Sequence, residues 1–260
     1  MEIPEEFKMA KTKNKILIVS GCDEKQECFG QLAFQNFSDY ADKWGYDFKS
    51  YTGDNFYFTK GLGANTHEMQ TDKQSKQVIA FNWNKVGIVG SNLYDYDYVL
   101  WIDADAFIVN FTESIEEVFG LDNTDKEFFL APDAVSLNAG VFLVKNCPNM
   151  HSLFKEWTYM GFKKNEYYSD DFSSGRSICN FEQAAWCELY YRNWNNLMVS
   201  TQIMSSTKIN SHLQKEFWRA PHCDYLQYKK GESFILHLAG VPNQDRIYFW
   251  HDFIKDEVVS

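Results

Sequence analysis

The feature that most constrains the fold is the apolar run Tyr98–Ile102, which is followed at once by Asp103-Ala104-Asp105. An unbroken apolar run of this length is typical of a strand buried on both faces of a mostly parallel sheet. Side chains at i and i+2 on extended backbone point to the same side, so the spacing predicts two carboxylates about 6–7 Å apart. They would lie at the carboxyl end of the strand, where open α/β sheets bind their ligands.

The two aspartates are candidate metal ligands. Like charges this close repel each other and are costly to desolvate unless a cation lies between them. Mg²⁺ and Mn²⁺ prefer oxygen ligands and leave coordination positions for the phosphate oxygens of a nucleotide diphosphate. The same Asp-x-Asp spacing also occurs in acidic, solvated turns, so the motif alone leaves both interpretations open.

Composition indicates a folded protein of one large α/β domain. The chain has 260 residues, of which 45% are hydrophobic, enough for a sizeable core. We predict a polar leader over residues 1–14 and a single domain over residues 15–260. The net charge of −11 argues against nucleic acid and anionic membranes as partners. An acidic protein that binds a nucleotide diphosphate needs local positive charge, which again favours a metal.

The compartment is predicted from cysteines and hydropathy. The six cysteines show neither metal-binding spacing nor a small disulfide scaffold, so we expect mostly free thiols in a reducing compartment. No run reaches the ~18 apolar residues of a membrane span, and the N-terminus lacks a signal-peptide core. We therefore expect a soluble, cytoplasmic protein with no transmembrane segment; a Golgi lumen location would require that the chain be trimmed from a longer one.

The order of elements predicts a parallel sheet. A β-branched strand over residues 16–21 precedes a helix over 31–41 that Gly45 closes, and an alternating strand over 46–51 follows. This β-α-β order implies parallel strands, and no dinucleotide fingerprint follows the first strand. Further predictions are helices over 78–89 and 114–119, strands over 127–131 and 141–144, helices from Pro148 and Phe181, an exposed loop over 52–75 and a substrate loop over 167–180.

Three later stretches carry candidate site residues. Asn138-Ala139-Gly140 forms a small corner before an apolar strand, where Gly allows close approach and Asn offers a donor and an acceptor. Glu182-Gln183 opens a helix, where an acidic residue is also ordinary for dipole reasons. His237 lies in an apolar segment; it is either a core residue or the third ligand that the aspartate pair lacks.

Taken in order, these motifs resemble nucleotide-sugar-dependent glycosyltransferases of the GT-A fold, and most of all glycosyltransferase family 34. That family includes xyloglucan xylosyltransferases and yeast galactosyl- and mannosyltransferases. The matching pieces span about residues 15–240. They are Gln35-Asn36, Asp39-Tyr40-Ala41, Gly45-Tyr46, Trp83-Asn84-Lys85-Val86, Leu100-Trp101-Ile102-Asp103-Ala104-Asp105-Ala106, Leu137-Asn138-Ala139-Gly140-Val141-Phe142-Leu143, Glu182-Gln183-Ala184-Ala185 and Phe234-Ile235-Leu236-His237-Leu238-Ala239-Gly240.

The resemblance implies a role for each candidate residue. It implies that Mn²⁺ (or Mg²⁺) bridges the donor diphosphate on three ligands, that the acidic residue of the Glu-Gln pair faces the anomeric carbon, and that the remaining residues bind the nucleotide sugar. The metal ligands are Asp103, Asp105 and His237; the catalytic pair is Glu182 and Gln183; the nucleotide-sugar residues are Ser20, Gly21, Lys85, Asn138, Ala139, Gly140 and Gly240.

One departure from the family concerns the phosphates. The family continues its His-x-x-Gly motif with Cys-Lys, whose Lys reaches a phosphate, whereas this chain has Val241-Pro242. Neutralisation of the diphosphate is therefore expected from the metal together with Lys85 or Arg246.

Three functions are consistent with the sequence. The first is metal-dependent transfer of a hexose or pentose from a nucleotide diphosphate sugar, with UDP favoured, to a glycan hydroxyl. The residues leave retention and inversion both open, and the family resemblance favours retention. The second is a catalytically decayed GT-A domain that binds carbohydrate or acts as a scaffold. The third is a nucleotidyltransferase, which fits least, because residues 21–25 do not form the Gly-rich basic loop that such enzymes carry after the first strand.

Overall fold

The computed structural model describes residues 14–53, 81–134, 136–162, 182–213 and 226–251. The predicted loops over 52–75 and 167–180 lie almost entirely outside these ranges. The strands are β1 (Ile16–Cys22), β2 (Asp47–Thr52), β3 (Tyr98–Ile102), β4 (Ala106–Ile108), β5 (Phe128–Pro132), β6 (Leu137–Lys145), β7 (Thr201–Ile203) and β8 (Ile235–His237). The helices are α1 (Glu27–Trp44), α2 (Asn84–Asn92), α3 (Ile115–Phe119), α4 (Pro148–Phe162), α5 (Glu182–Tyr191), α6 (Leu197–Ser200), α7 (Ser206–Ile209) and α8 (Asn243–Phe249).

The main sheet confirms the predicted fold class. Its six strands in the described residues have the order β2-β1-β3-β6-β5-β7. β1 pairs in parallel with β2 and β3, β5 pairs in parallel with β7, and only β6 runs antiparallel to its neighbours. Helix α1 ends as predicted at Gly45, whose φ of 71° is left-handed and favours glycine. The result is a mostly parallel α/β sheet with helices on both faces.

The core lies on both sides of this sheet. Every residue of β3 is buried, as the apolar run predicts. Tyr98, Leu100 and Ile102 pack into the core layer with α1, α3, β4 and β8, while Val99 and Trp101 pack into the layer with α2, α4 and α5. Fully burying an aliphatic side chain such as Leu100 contributes about 1.5–3 kcal/mol to the stability of the fold. β3 is therefore fixed from both faces, and the residues that follow it start from a rigid position.

Residues 138–140 correct one expectation. They do not form a corner before a strand, because Asn138 pairs with Ala131 and Leu137 with Pro132, which extends β6 back to Leu137. A register shift between Leu130 and Ala131 accommodates this extension. The backbone N–H of Asp103 donates to the carbonyl of Gly140 at 2.7 Å. The antiparallel β6 therefore places residues 138–140 beside the end of β3.

A small second sheet brings the C-terminal part of the chain to the same place. β4 and β8 pair antiparallel, with Ala106 opposite His237. The backbone N–H of Leu238 donates to the carbonyl of Asp105 at 2.8 Å. Residues far apart in sequence, Asp105 and His237, are thereby fixed next to each other by backbone hydrogen bonds.

Two further predictions concern thiols and membranes. Cys22, Cys28, Cys147 and Cys187 are free thiols, as predicted, and the other two cysteines fall outside the described ranges. No helix in the part of the chain that the structure describes has both the length and the apolarity of a membrane span.

Candidate functional site

The Asp103-Ala104-Asp105 segment is a turn, not a continuation of the strand. The backbone N–H of Ala106 donates to the carbonyl of Asp103 at 3.0 Å, which closes the turn between β3 and β4. The chain has to turn here because β3 belongs to the main sheet and β4 to the small one. The prediction of extended backbone was therefore wrong, and one oxygen of each carboxylate lies within 4.8 Å of the other.

Asp103, Asp105 and His237 form a three-residue cluster. One potential ligand atom from each lies within 4.8 Å of the other two. The Nδ1 of His237 is 2.7 Å from Oδ1 of Asn210, and its Nε2 is 3.1 Å from Oδ1 of Asp105. An amide oxygen accepts the Nδ1–H and so orients the ring with Nε2 toward the carboxylates, which is the arrangement typical of metal-ligating histidines.

Each aspartate has one oxygen paired with a basic side chain. Lys85 Nζ lies 2.8 Å from Oδ1 of Asp103, and Trp101 Nε1 donates to the same oxygen at 2.6 Å. Arg246 donates from Nη2 to Oδ2 of Asp105 at 2.7 Å. The other oxygen of Asp105, Oδ1, faces Nε2 of His237 at 3.1 Å.

The ionisation of the cluster follows from these pairs. Burial alone would raise the pKa of Asp105, but His237 and Arg246 beside it hold that pKa below its usual range. Burial would lower the pKa of His237, yet Asp105 and its hydrogen bond raise it. Burial would likewise lower the pKa of Lys85, and the carboxylates of Asp103 and Glu182 raise it. The cluster is therefore a set of buried and half-buried charges that stabilise one another.

The donor set fits a hard divalent cation. Two carboxylate oxygens and one imidazole nitrogen suit Mn²⁺ or Mg²⁺ and leave positions open in an octahedral shell. A Cβ on Gly140 would lie 2.3 Å from Cε1 of His237 and 3.0 Å from Oδ2 of Asp103. Glycine at this position of β6 is what allows the imidazole and the carboxylate to approach the strand.

Lys85 joins the metal cluster to the Glu-Gln pair. Its ammonium donates to Asp103, to Oε1 of Glu182 at 2.8 Å and to the carbonyl of Ala139 at 3.0 Å. An ammonium has three N–H donors, so all three are used within the protein. Its predicted contact with the nucleotide sugar stays a prediction, and its resting function is to hold two carboxylates in place.

Glu182 and Gln183 lie at the start of α5. Glu182 is 3% exposed, and its Oε2 has no hydrogen-bond partner among the described residues. Gln183 accepts from the backbone N–H of Ala139 at 3.0 Å and donates to Oγ of Ser136 at 3.3 Å. Gln183 therefore fixes β6 against α5, while one oxygen of Glu182 remains unbonded.

A cavity of about 670 Å³ brings most of the predicted residues together. Nine of them line it: Lys85, Asp103, Asp105, Asn138, Gly140, Glu182, Gln183, His237 and Gly240. Asn138 is held there by its side chain, which donates to Asp133 at 3.0 Å and accepts from the N–H of Gly140 at 2.7 Å. Gly240 has a left-handed φ of 79°, which favours glycine.

A second cavity of about 170 Å³ adjoins the first at the aspartates. Gly21 lines it, and Lys85, Asp103 and Asp105 line both cavities. Ser20 is fully buried in β1 and lines neither. Ala139 is also buried and enters the site only through its backbone.

Several residues of the site were missed by sequence reasoning. Trp101 and Asn210 hold metal-ligand candidates, and Cys187, Glu188 and Tyr191 line the large cavity. Residues 183/184, 187/188 and 191 recur at helical spacing. Once a helix is predicted there, this spacing places them on the same face as Gln183. Nothing local in the sequence marks Asn210, because its partner is distant in the chain.

Comparison with known families supports the sequence interpretation. The model of the galactosyl transferase GMA12/MNN10 family, which is glycosyltransferase family 34, matches residues 119–247. The predicted resemblance to glycosyltransferase family 34 is confirmed. The family 34 match includes Asn138, Glu182 and His237, whereas both aspartates precede it. No curated protein sequence matches the chain.

Solved structures show the GT-A fold. A glycosyltransferase involved in glycosylation of the major capsid of PBCV-1 has 15% identity and a TM-score of 0.60 over 91% of this chain and 98% of its own. The galactosyltransferase LgtC, with donor and acceptor sugar analogs, has 14% identity and a TM-score of 0.53 over 94% and 95%. GlyE of Streptococcus pneumoniae TIGR4 has 14% identity and a TM-score of 0.53, over 95% of this chain but 62% of its own. At these identities the likeness is one of fold.

Proposed function

We propose that this chain is a metal-dependent glycosyltransferase that moves a hexose or pentose from a nucleotide diphosphate sugar to a glycan hydroxyl. The observation that carries the proposal is the position of the Asp103–Asp105–His237 cluster. Its potential ligand atoms lie within 4.8 Å of one another, and both aspartates line the two adjoining cavities. A diphosphate bound there would have its nucleotide in the smaller cavity and its sugar in the larger one.

Asp103, Asp105 and His237 would hold Mn²⁺ or Mg²⁺. When bound, the ion would act as a Lewis acid and stabilise the charge of the departing diphosphate. Lys85 and Arg246 keep the two carboxylates oriented. All three N–H donors of Lys85 already form contacts inside the protein. To neutralise a phosphate, this side chain would have to break one of those contacts.

Glu182 would stabilise the sugar as the anomeric bond breaks. Its Oε1 is paired with Lys85 at 2.8 Å, and Oε2 has no hydrogen-bond partner in the described part of the chain. A buried carboxylate oxygen without a donor suits the positive charge of an oxocarbenium-like sugar. Under this proposal the acceptor proton passes to the leaving phosphate and the configuration is retained. LgtC, which shares the fold, accommodates donor and acceptor sugar analogs, and UDP is the favoured nucleotide by family resemblance.

The test is calorimetric titration of UDP and of GDP, each with and without Mn²⁺, followed by a panel of donor sugars. Asp103→Asn and Asp105→Asn should lose the metal-dependent part of nucleotide binding. Asp125→Asn, a matched change of an exposed aspartate, should not. Equal nucleotide affinity with and without Mn²⁺ in the unchanged protein would contradict the proposal and favour a decayed domain that binds carbohydrate without catalysis.

A further inference from the structure

One face of helix α5 forms a wall of the large cavity. Gln183, Ala184, Cys187, Glu188 and Tyr191 all line it. The opposite face is buried, with Ala185, Trp186 and Leu189 in the core. The alternation has the period of a helix, so the wall is continuous from the amino to the carboxyl end of α5.

The wall is longer than the part that the donor site uses. Glu182, at its inner end, contacts the Lys85–Asp103 pair. Tyr191, at its outer end, lies nine residues further on, which is about 13 Å along a helix. The cavity volume of about 670 Å³ is in the range of sites for ligands larger than one monosaccharide. The outer half of the wall therefore has room for a second sugar.

Tyr191 is an exposed aromatic ring in a supported position. It is 64% exposed and lines the outer end of the cavity. Its ring contacts Tyr190 edge to face at a centroid distance of 5.5 Å, and Tyr190 stacks at 5.3 Å on Trp186, which is buried. These contacts connect the exposed ring to the core, and a ring held in this way loses little conformational entropy when a ligand stacks on it.

The polar neighbours of Tyr191 favour a neutral ligand. Glu188 lines the cavity one turn earlier and is ion-paired with Arg192. The thiol of Cys187 also lines the wall, and burial raises its pKa to about 11, so it is uncharged at neutral pH. A carboxylate that accepts hydroxyl hydrogens beside an aromatic face matches a sugar ring, which has polar edges and an apolar C–H face.

We propose that Cys187, Glu188 and Tyr191 form the subsite for the acceptor, a neutral pyranose whose C–H face stacks on Tyr191. The assignment of this site to the acceptor rests on the proposed glycosyl transfer. The prediction that a sugar binds there is based on the geometry of the wall. Tyr191 is here a binding and specificity residue, and it is not part of the donor and metal site.

The test is saturation-transfer NMR and titration with methyl β-D-glucopyranoside and methyl α-D-mannopyranoside, with and without UDP and Mn²⁺. Tyr191→Ala should weaken binding of the better probe about three- to tenfold, the range of one aromatic contact. Tyr191→Phe, which keeps the ring, should restore most of it. Tyr94→Ala removes a ring that is 62% exposed and lines neither cavity, so it should leave binding unchanged.

The outcomes separate the subsite from the proposed function. Unchanged sugar affinity in Tyr191→Ala, or no saturation transfer to either probe in the unchanged protein, would overturn the subsite. Absence of metal-dependent UDP or GDP binding in the unchanged protein would refute the transfer reaction instead. Loss of nucleotide affinity in Tyr191→Ala would also count against the subsite, because the variant would then disturb the donor site.

Discussion

Replacing Lys85 with Met tests the buried charge network most directly. Met has a similar length and no charge, so the substitution keeps most of the packing and removes the ammonium. Lys85 pairs with Asp103 and Glu182, both at 2.8 Å. After the change, Glu182 would remain in the core without its ammonium partner, and among the described residues the side-chain contact left to Asp103 would be that with Trp101.

The expected loss of stability can be estimated from burial. Breaking a buried ion pair by removing one partner costs about 3–5 kcal/mol. The side chain of Glu182 is 3% exposed and that of Asp103 is 29% exposed, so we assign most of the cost to Glu182. We therefore expect Lys85→Met to lower the free energy of unfolding by about 3–5 kcal/mol, which moves a urea midpoint by roughly 1–2 M.

Urea unfolding followed by tryptophan fluorescence would measure this shift. Glu182→Gln in the Lys85→Met background removes the orphaned charge and should recover about half of the loss. Lys229→Met is the matched control, since Lys229 forms an exposed pair with Glu232 and should move the midpoint little. A midpoint for Lys85→Met equal to that of the unchanged protein would refute the network as described.

Three further predictions concern a close approach to Gly140, the desolvated thiol of Cys187 and the buried hydrogen bonds of Asn36. Gly140→Ala places a Cβ 2.3 Å from Cε1 of His237, so we expect a loss of about 1–3 kcal/mol in stability and weaker Mn²⁺ binding by electron paramagnetic resonance. At pH 8 the raised pKa of Cys187, about 11, leaves about a thousandth of it as thiolate. Its alkylation by iodoacetamide, followed by mass spectrometry, should be slower than that of the exposed Cys28 and should rise with pH up to about 11. Asn36→Ala removes two buried hydrogen bonds to β4, at 2.8 and 3.0 Å, and should cost about 2–4 kcal/mol in urea unfolding.

Each of these has a clear contrary result. Gly140→Ala with unchanged Mn²⁺ affinity would show that β6 does not limit the metal cluster. Alkylation of Cys187 as fast as that of Cys28 at pH 8 would show that the thiol is not desolvated. Asn36→Ala with unchanged stability would show that the backbone of β4 finds other partners.

The sequence predicts the elements of the fold well because their signals are local. The apolar run 98–102, the Gly45 helix end and the β-α-β order each depend on neighbouring residues, and each is confirmed. The extension of β6 back through residues 137–140 was missed because it depends on pairing with Ala131 and Pro132. Asn-Ala-Gly has turn composition, and tertiary pairing overrides it.

The candidate site is predicted less completely, for a related reason. The candidate metal ligands Asp103, Asp105 and His237 could be identified from the sequence, and the structure brings these three residues together. Their partners are not visible, because Lys85 meets Glu182 and His237 meets Asn210 only through the fold. Local sequence also does not show that the chain turns between β3 and β4, which alters the spacing of the two carboxylates.

The pairing of β4 with β8 has a consequence for biosynthesis. His237 lies 132 positions after Asp105, and its strand joins the fold only after most of the sequence has been made. Long-range contacts of this kind form late in folding. While residues 235–237 of a growing chain have not yet emerged from the ribosome, the two aspartates lack the third residue of the cluster. If the proposed metal site is real, ion capture would require β8 to be in place, and its onset would report that β8 has paired with β4.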